Sequence, residues 1–129
     1  MEVKAIYKNA RISPLKAREV TREIQGMDVS RALALLNYTP KKAALLIGKT
    51  LQSAVANAEN QHELDPETLM VKTCTATPGP TLKRIMPRAR GSAAPILKRS
   101  SHITVILAAK VAEATEDKPK RAPRKAKEA

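Results

Sequence analysis

Between Glu67 and Glu113 this chain has no Asp or Glu, while Lys72, Lys83, Arg84, Arg88, Arg90, Lys98, Arg99 and Lys110 supply eight positive charges. Like charges at this density repel one another, so an ordered form of the segment calls for an anionic partner. A polyphosphate suits that role, because each Lys or Arg that neutralises a phosphate also releases condensed counterions. The charge is local. Residues 1–67 hold ten bases and eight acids, residues 68–112 eight and none, and residues 113–129 six and four, so most of the net +12 sits in one segment. That distribution points to a dedicated binding surface.

The rest of the chain must fold with little material. It has no Trp or Phe, its only aromatics are Tyr7 and Tyr38, and 21 of its 55 apolar residues are Ala. A buried Leu or Ile contributes about 1.5–3 kcal/mol and Ala far less, so the core is expected to be small, with closely spaced helices. At 129 residues there is room for one modest domain with appendages. The lone Cys74 can form neither an internal disulfide nor a zinc site. The N-terminus lacks the apolar run of a signal peptide, and no stretch approaches the roughly 20 apolar residues of a membrane span. These features suggest a cytoplasmic protein with no membrane partner.

Hydrophobic periodicity divides the chain into elements. Residues 2–8 alternate, with Val3, Ala5 and Tyr7 facing inward against Glu2, Lys4 and Lys8, which predicts a first strand. Ser13-Pro14 reads as a helix start, a capping hydroxyl before a proline that needs no donor. Ala17, Val20 and Ile24 then recur at helical spacing, and Gly26 can supply a left-handed closing residue. A second short helix carries Val29, Ala32, Leu33 and Leu36 on one stripe. Thr39-Pro40 repeats the cap-and-proline pattern ahead of a third helix over about residues 40–60, whose inner face is Ala44, Ile47, Leu51, Ala54, Val55 and Ala58. Gly48 on that helix is expected to admit a close neighbouring backbone. Two further strands follow, at 69–77 and 102–109. The first is expected to place Leu69, Val71, Thr73 and Thr75 on one face, the second Ile103, Val105 and Leu107.

The basic segment connects those two strands. A structureless connection of two dozen residues is rare in a compact domain, so a long hairpin over residues 78–101 is expected. Leu82-Lys83-Arg84-Ile85 and Ile96-Leu97-Lys98-Arg99 give it arms of matching composition, with Gly91 as a natural tip. Pro87 and Pro95 lack a donor, which predicts irregular pairing near the tip. Residues 113–129 have almost no bulky apolar group and read as a disordered basic tail, after a single domain over residues 1–112.

No catalytic constellation or metal-ligand cluster emerges, and no cofactor is implied. His62 and His102 stand apart, and Glu19 and Glu23 lie among Lys16, Arg18 and Arg22 as a mixed-charge solvated face. Cys74 reads as a small buried residue or an inert thiol. Phosphate binding is what the residues offer. In an extended segment Arg88 and Arg90 would point the same way, and their guanidinium groups can bridge phosphates. The scarcity of aromatics argues against a base-stacking single-strand module and favours folded RNA read by shape and phosphate. No helix–turn–helix with a base-reading face emerges.

Gly79-Pro80, Lys83-Arg84-Ile85-Met86-Pro87-Arg88-Ala89-Arg90-Gly91, Ile96-Leu97-Lys98-Arg99 and Ser101-His102-Ile103-Thr104-Val105 closely resemble the family of bacterial large-subunit ribosomal protein 22. Ala10-Arg11, Tyr38-Thr39 and Ser53-Ala54-Val55-Ala56-Asn57-Ala58-Glu59 agree, and the resemblance covers about residues 3–110. Ser92-Ala93-Ala94-Pro95 departs from the more polar, charged tip of that family. The resemblance implies an α+β fold: three helices packed on a small three-stranded antiparallel sheet, with a protruding basic β-hairpin. It also implies a structural constituent of the large ribosomal subunit that binds rRNA, assists assembly and lines the nascent-peptide exit tunnel. Its partners would be large-subunit rRNA, neighbouring ribosomal proteins and the nascent polypeptide, with no homo-oligomer. On the body, Lys4, Lys8, Arg11, Lys16, Arg18, Arg22, Lys41 and Lys42 are then expected to bind rRNA. On the hairpin Lys83, Arg84, Arg88, Arg90, Lys98 and Arg99 join them, and Met86, Pro87, Arg88, Ala89, Arg90 and Gly91 form the tunnel-facing tip. The competing classes are a DNA-associated architectural protein, an RNA-acting enzyme and a basic protein held by acidic partners. An enzyme would need acid/base groups within residues 68–112, where only His102 is available.

Overall fold

A computed structural model describes residues 1–110; the predicted 113–129 tail lies outside them. Strand β1 spans Glu2–Ala10, followed by helices α1 (Pro14–Ile24), α2 (Val29–Tyr38) and α3 (Lys42–His62). Strand β2 (Leu69–Pro78) leads into β3 (Leu82–Pro87), and β4 (Ala93–Lys98) returns to β5 (Ser101–Ala109). The fold is α+β. β1, β5 and β2 form an antiparallel sheet in that order, and β3 and β4 pair separately.

The central strand β5 buries Ser101, Ile103, Val105 and Leu107 on one face. Against that face lie Ala17, Val20 and Ile24 of α1, Val29, Ala32 and Leu36 of α2, and Ala43, Ala44, Ile47, Leu51, Ala54 and Ala58 of α3. Among the described residues, nine of the 23 buried apolar side chains are alanine, which lets helix backbones approach the sheet closely. Ser13 caps α1 by accepting from the Lys16 N–H at 3.4 Å, and Gly26, at φ +82°, closes its end while its N–H donates to the Val71 carbonyl at 2.8 Å. Both signals were legible in the sequence.

Four expectations are overturned for local reasons. A bulge at Lys72, between the Val71 and Thr73 pairings with β5, shifts the inward face of β2 by one residue. Leu69 and Val71 point inward as expected, but beyond the bulge Cys74 and Ala76 are buried in place of Thr73 and Thr75. In β1 a second irregularity between Tyr7 and Ala10, with Asn9 at φ +57°, carries Ala10 into the core; Tyr7 stays exposed in a groove beside Lys49, Thr50 and Ser53. Thr39 ends α2 and does not start α3: its hydroxyl donates to the Leu35 carbonyl at 2.8 Å, and α3 begins three residues later, at Lys42. Nothing lies within 4 Å of the position a Cβ would take at Gly48, so that glycine serves no close backbone approach.

Candidate nucleic-acid interface

The hairpin pairs without interruption from Leu82↔Lys98 to Pro87↔Ala93. Its parity explains how two prolines fit where irregular pairing was expected. The Arg88 N–H donates to the Ser92 carbonyl at 2.9 Å, so residues 88, 86, 84 and 82 take the hydrogen-bonded positions. Pro87 and Pro95 then fall at non-hydrogen-bonded positions, where a missing N–H costs the ladder nothing. At about 3.4 Å per residue each six-residue arm spans about 20 Å.

The tip is a turn over Ala89–Gly91, closed by the Ser92 hydroxyl donating to the Ala89 carbonyl at 2.8 Å. Gly91 takes positive φ (+68°) as expected, but so does Arg90 (+58°). The chain is therefore not extended through Ala89, and the strand alternation expected to align Arg88 with Arg90 is absent. Both side chains are exposed, as are Met86, Pro87, Ala89 and Gly91.

Strand alternation decides where the hairpin charges lie. Lys83 shares one face with Ile85, Pro87, Ala93, Pro95 and Leu97. Arg84 and Lys98 share the other with Leu82, Met86, Ala94 and Ile96. Each face therefore mixes cations with apolar groups, and Ile85 is 73% exposed. Such a ribbon suits a partner that encloses it on both sides more than one that offers a flat surface.

On the body, the expected binding residues divide by what they touch. Lys4 and Lys8 are exposed on β1, and Arg22 is exposed on α1 beside Glu19 and Glu23. Lys41 pairs with Glu19 at 3.0 Å. Arg18 is half-buried, and its Nε donates to the Ala76 carbonyl at 3.0 Å, tying α1 to β2. Part of its donor set therefore belongs to the fold. Arg11, Lys16 and Lys42 come together with Arg99 of the hairpin's return in one cleft of about 520 Å³, alongside Ile12, Ser13 and Leu97. Elsewhere Lys72 pairs with Glu2, holding that carboxyl below its usual range, and Lys110 pairs with Asp28 at 2.8 Å. Among the described residues, none of the hairpin bases forms an ion pair.

Sequence reasoning missed the joint between hairpin and body. The Gly79 N–H donates to the Ser100 carbonyl at 2.9 Å, and the Ser100 hydroxyl donates to the Pro80 carbonyl. A Cβ on Gly79 would lie 2.8 Å from Ser100 Oγ and 3.3 Å from His102 Cε1, so only glycine fits without displacement. His102 Nδ1 accepts from the Asn9 N–H at 3.0 Å, fixing the irregular end of β1 against β5. The run Gly79-Pro80 was the available signal; its partners are 20 residues or more away in sequence. Cys74 is buried, and burial pushes its thiol up to about 12. Among the described residues no three His, Cys, Asp or Glu side chains cluster as metal ligands, and no helix is long and apolar enough to cross a membrane.

This body with its projecting, unpaired basic ribbon coincides with a described family: residues 5–108 match the model for ribosomal protein L22p/L17e. The chain belongs to that family. Among curated L22 relatives, the large ribosomal subunit protein uL22 of Akkermansia muciniphila is 63% identical over 108 residues, covering 84% of this chain and 96% of that protein. The uL22 of Methylacidiphilum infernorum is 56% identical over 107 residues, covering 83% and 94%. That of Syntrophobacter fumaroxidans is 56% identical over 110 residues, covering 85% and 100%. L22 proteins are structural ribosomal proteins and not enzymes, so the enzymatic alternative falls. The match spans both hairpin arms and the joint, so the cleft and the two-faced ribbon lie within the family's shared length.

Proposed function

We propose that this protein is a structural constituent of the large ribosomal subunit in the cytoplasm; its relatives' names carry membership of that subunit. In this reading its hairpin binds rRNA, assists subunit assembly and presents Met86–Gly91 to the nascent polypeptide in the exit tunnel. The domain is taken as residues 1–112, with the hairpin at 78–101. The observation that carries the reading is the charge of β3, the tip, β4 and the Arg99 that follows it: six bases, no acid, and no ion pair among the described residues. A ribbon with cations on both faces gains most when phosphates surround it, because each neutralised phosphate frees counterions and removes repulsion between neighbouring arms. Lys83, Arg84, Arg88, Arg90, Lys98 and Arg99 would supply those contacts, joined on the body by Arg11, Lys16 and Lys42. Lys4, Lys8 and Arg22 would add weaker phosphate contacts, and Arg18 and Lys41 would contribute through groups left after their internal bonds. Neighbouring ribosomal proteins would adjoin the body, and no second copy is required.

The test is sedimentation of the tagged protein with large subunits in high salt. The wild type is expected to remain bound, while Arg88→Glu/Arg90→Glu incorporates poorly with its fold intact. Normal incorporation of that variant would remove the tip from the docking surface. A protein that binds duplex DNA as tightly as structured RNA would instead favour the architectural alternative.

A further inference from the structure

We infer that the cleft between the body and the hairpin's return is a phosphate site, and that an RNA phosphodiester seated there bridges the two and sets the hairpin's angle. The inference rests on the RNA-binding reading and specifies one site within it. Arg11, Lys16 and Lys42 line the cleft from the body, and Arg99 and Leu97 line it from the hairpin. All four bases are exposed, and none forms an ion pair among the described residues. No acid lines this cleft, and Glu19, which lines the adjoining one, is paired with Lys41 at 3.0 Å.

The arrangement has a mechanical consequence. The hairpin joins the body through two adjacent chain segments at one end, tied by the Gly79–Ser100 and Ser100–Pro80 hydrogen bonds. Attachment at a single base leaves a two-stranded ribbon free to swing. On their own, Arg11, Lys16 and Lys42 repel Arg99, which pushes the hairpin away from the body. An anion shared by both sides reverses the sign of that interaction and adds a third point of attachment. Arg99 bridges phosphate oxygens with a planar fork, while the lysines act as point charges. The hairpin is thereby oriented by a phosphate far from its tip.

Isotope-labelled full-length protein titrated with sodium tripolyphosphate at constant ionic strength tests this by NMR. Saturable amide shifts are expected at Ser13, Lys16, Lys42 and Arg99, with order parameters rising along residues 82–98 at the same midpoint. In Lys16→Ala/Lys42→Ala the midpoint should move at least tenfold higher, and unchanged core resonances should confirm folding. With a short structured RNA, the same variant should lower the slope of log affinity against log salt by about one unit for each phosphate it no longer neutralises. An identical titration in the variant, or shifts spread evenly along the hairpin, overturns the cleft assignment and leaves the ribosomal reading standing. Failure of the wild-type chain to join large subunits overturns both.

Discussion

Among the described residues, all 23 buried apolar side chains belong to residues 3–76 and 103–107, whereas residues 82–99 contribute none, although both regions contain well-paired antiparallel strands. In the body, pairing is backed by helices that cover one face of the sheet, so desolvation of Ile, Leu and Val supplies the stability. In the hairpin the apolar groups on both faces stay uncovered, and an isolated two-stranded ribbon is marginal in water. Its six bases raise the cost of order further. The comparison teaches that secondary structure and stability are separable here: the same ladder geometry is backed by a buried core in one place and by none in the other.

The sharpest way to break that contrast is to remove equivalent volume from each region. Leu51→Ala, at a fully buried position of α3, should cost about 2–5 kcal/mol in chemical denaturation, while Ile85→Ala should change it by less than about 0.5 kcal/mol. Similar losses would mean that the hairpin is part of the cooperative core. A second test uses the thiol in the body. Its pKa is about 12 folded and near 9 unfolded, so above pH 9 the unfolded chain releases the proton that the folded chain retains. Stability present below pH 9 should therefore fall as pH rises towards 12, and more steeply in the wild type than in Cys74→Ala. Alkylation of the native thiol at about pH 8 should be slow, because the thiolate is the reactive form. Rapid labelling would show that the body opens locally.

Between the two regions, Gly79→Ala should cost about 1–3 kcal/mol, because its new Cβ meets Ser100 Oγ and one of the joint's bonds must give. NMR shifts at Ser100 and His102 larger than any in α3 would locate the strain at the joint. The smallest effect on stability belongs to the tip. Arg88→Glu/Arg90→Glu should leave the unfolding free energy within about 0.5 kcal/mol. The same variant should weaken binding to structured RNA and lower its salt slope by about two units if each arginine neutralises one phosphate. Unfolding of this variant would contradict the separation of body from hairpin.

Much of the architecture was readable one residue at a time. Ser13-Pro14 and Gly26 bounded α1 because capping chemistry and positive φ act within a few residues of the chain. Ala17, Val20 and Ile24, and likewise Ile103, Val105 and Leu107, revealed their faces because helix and strand periods are local properties. The acid-free run, together with the motifs around Lys83–Arg90 and Ser101–Val105, was enough to identify the family and to set the expectation of a polyphosphate-binding ribbon. Tertiary structure alone decided the rest. The bulge at Lys72 depends on the register that β5 imposes, and it exchanged Thr73 and Thr75 for Cys74 and Ala76 in the core. Pro87 and Pro95 are accommodated only because the ladder's parity puts both where no donor is needed. Arg11, Lys16 and Lys42 meet Arg99 because the chain returns from the hairpin beside the starts of α1 and α3. Register, parity and convergence depend on partners distant in sequence, and no local preference encodes them.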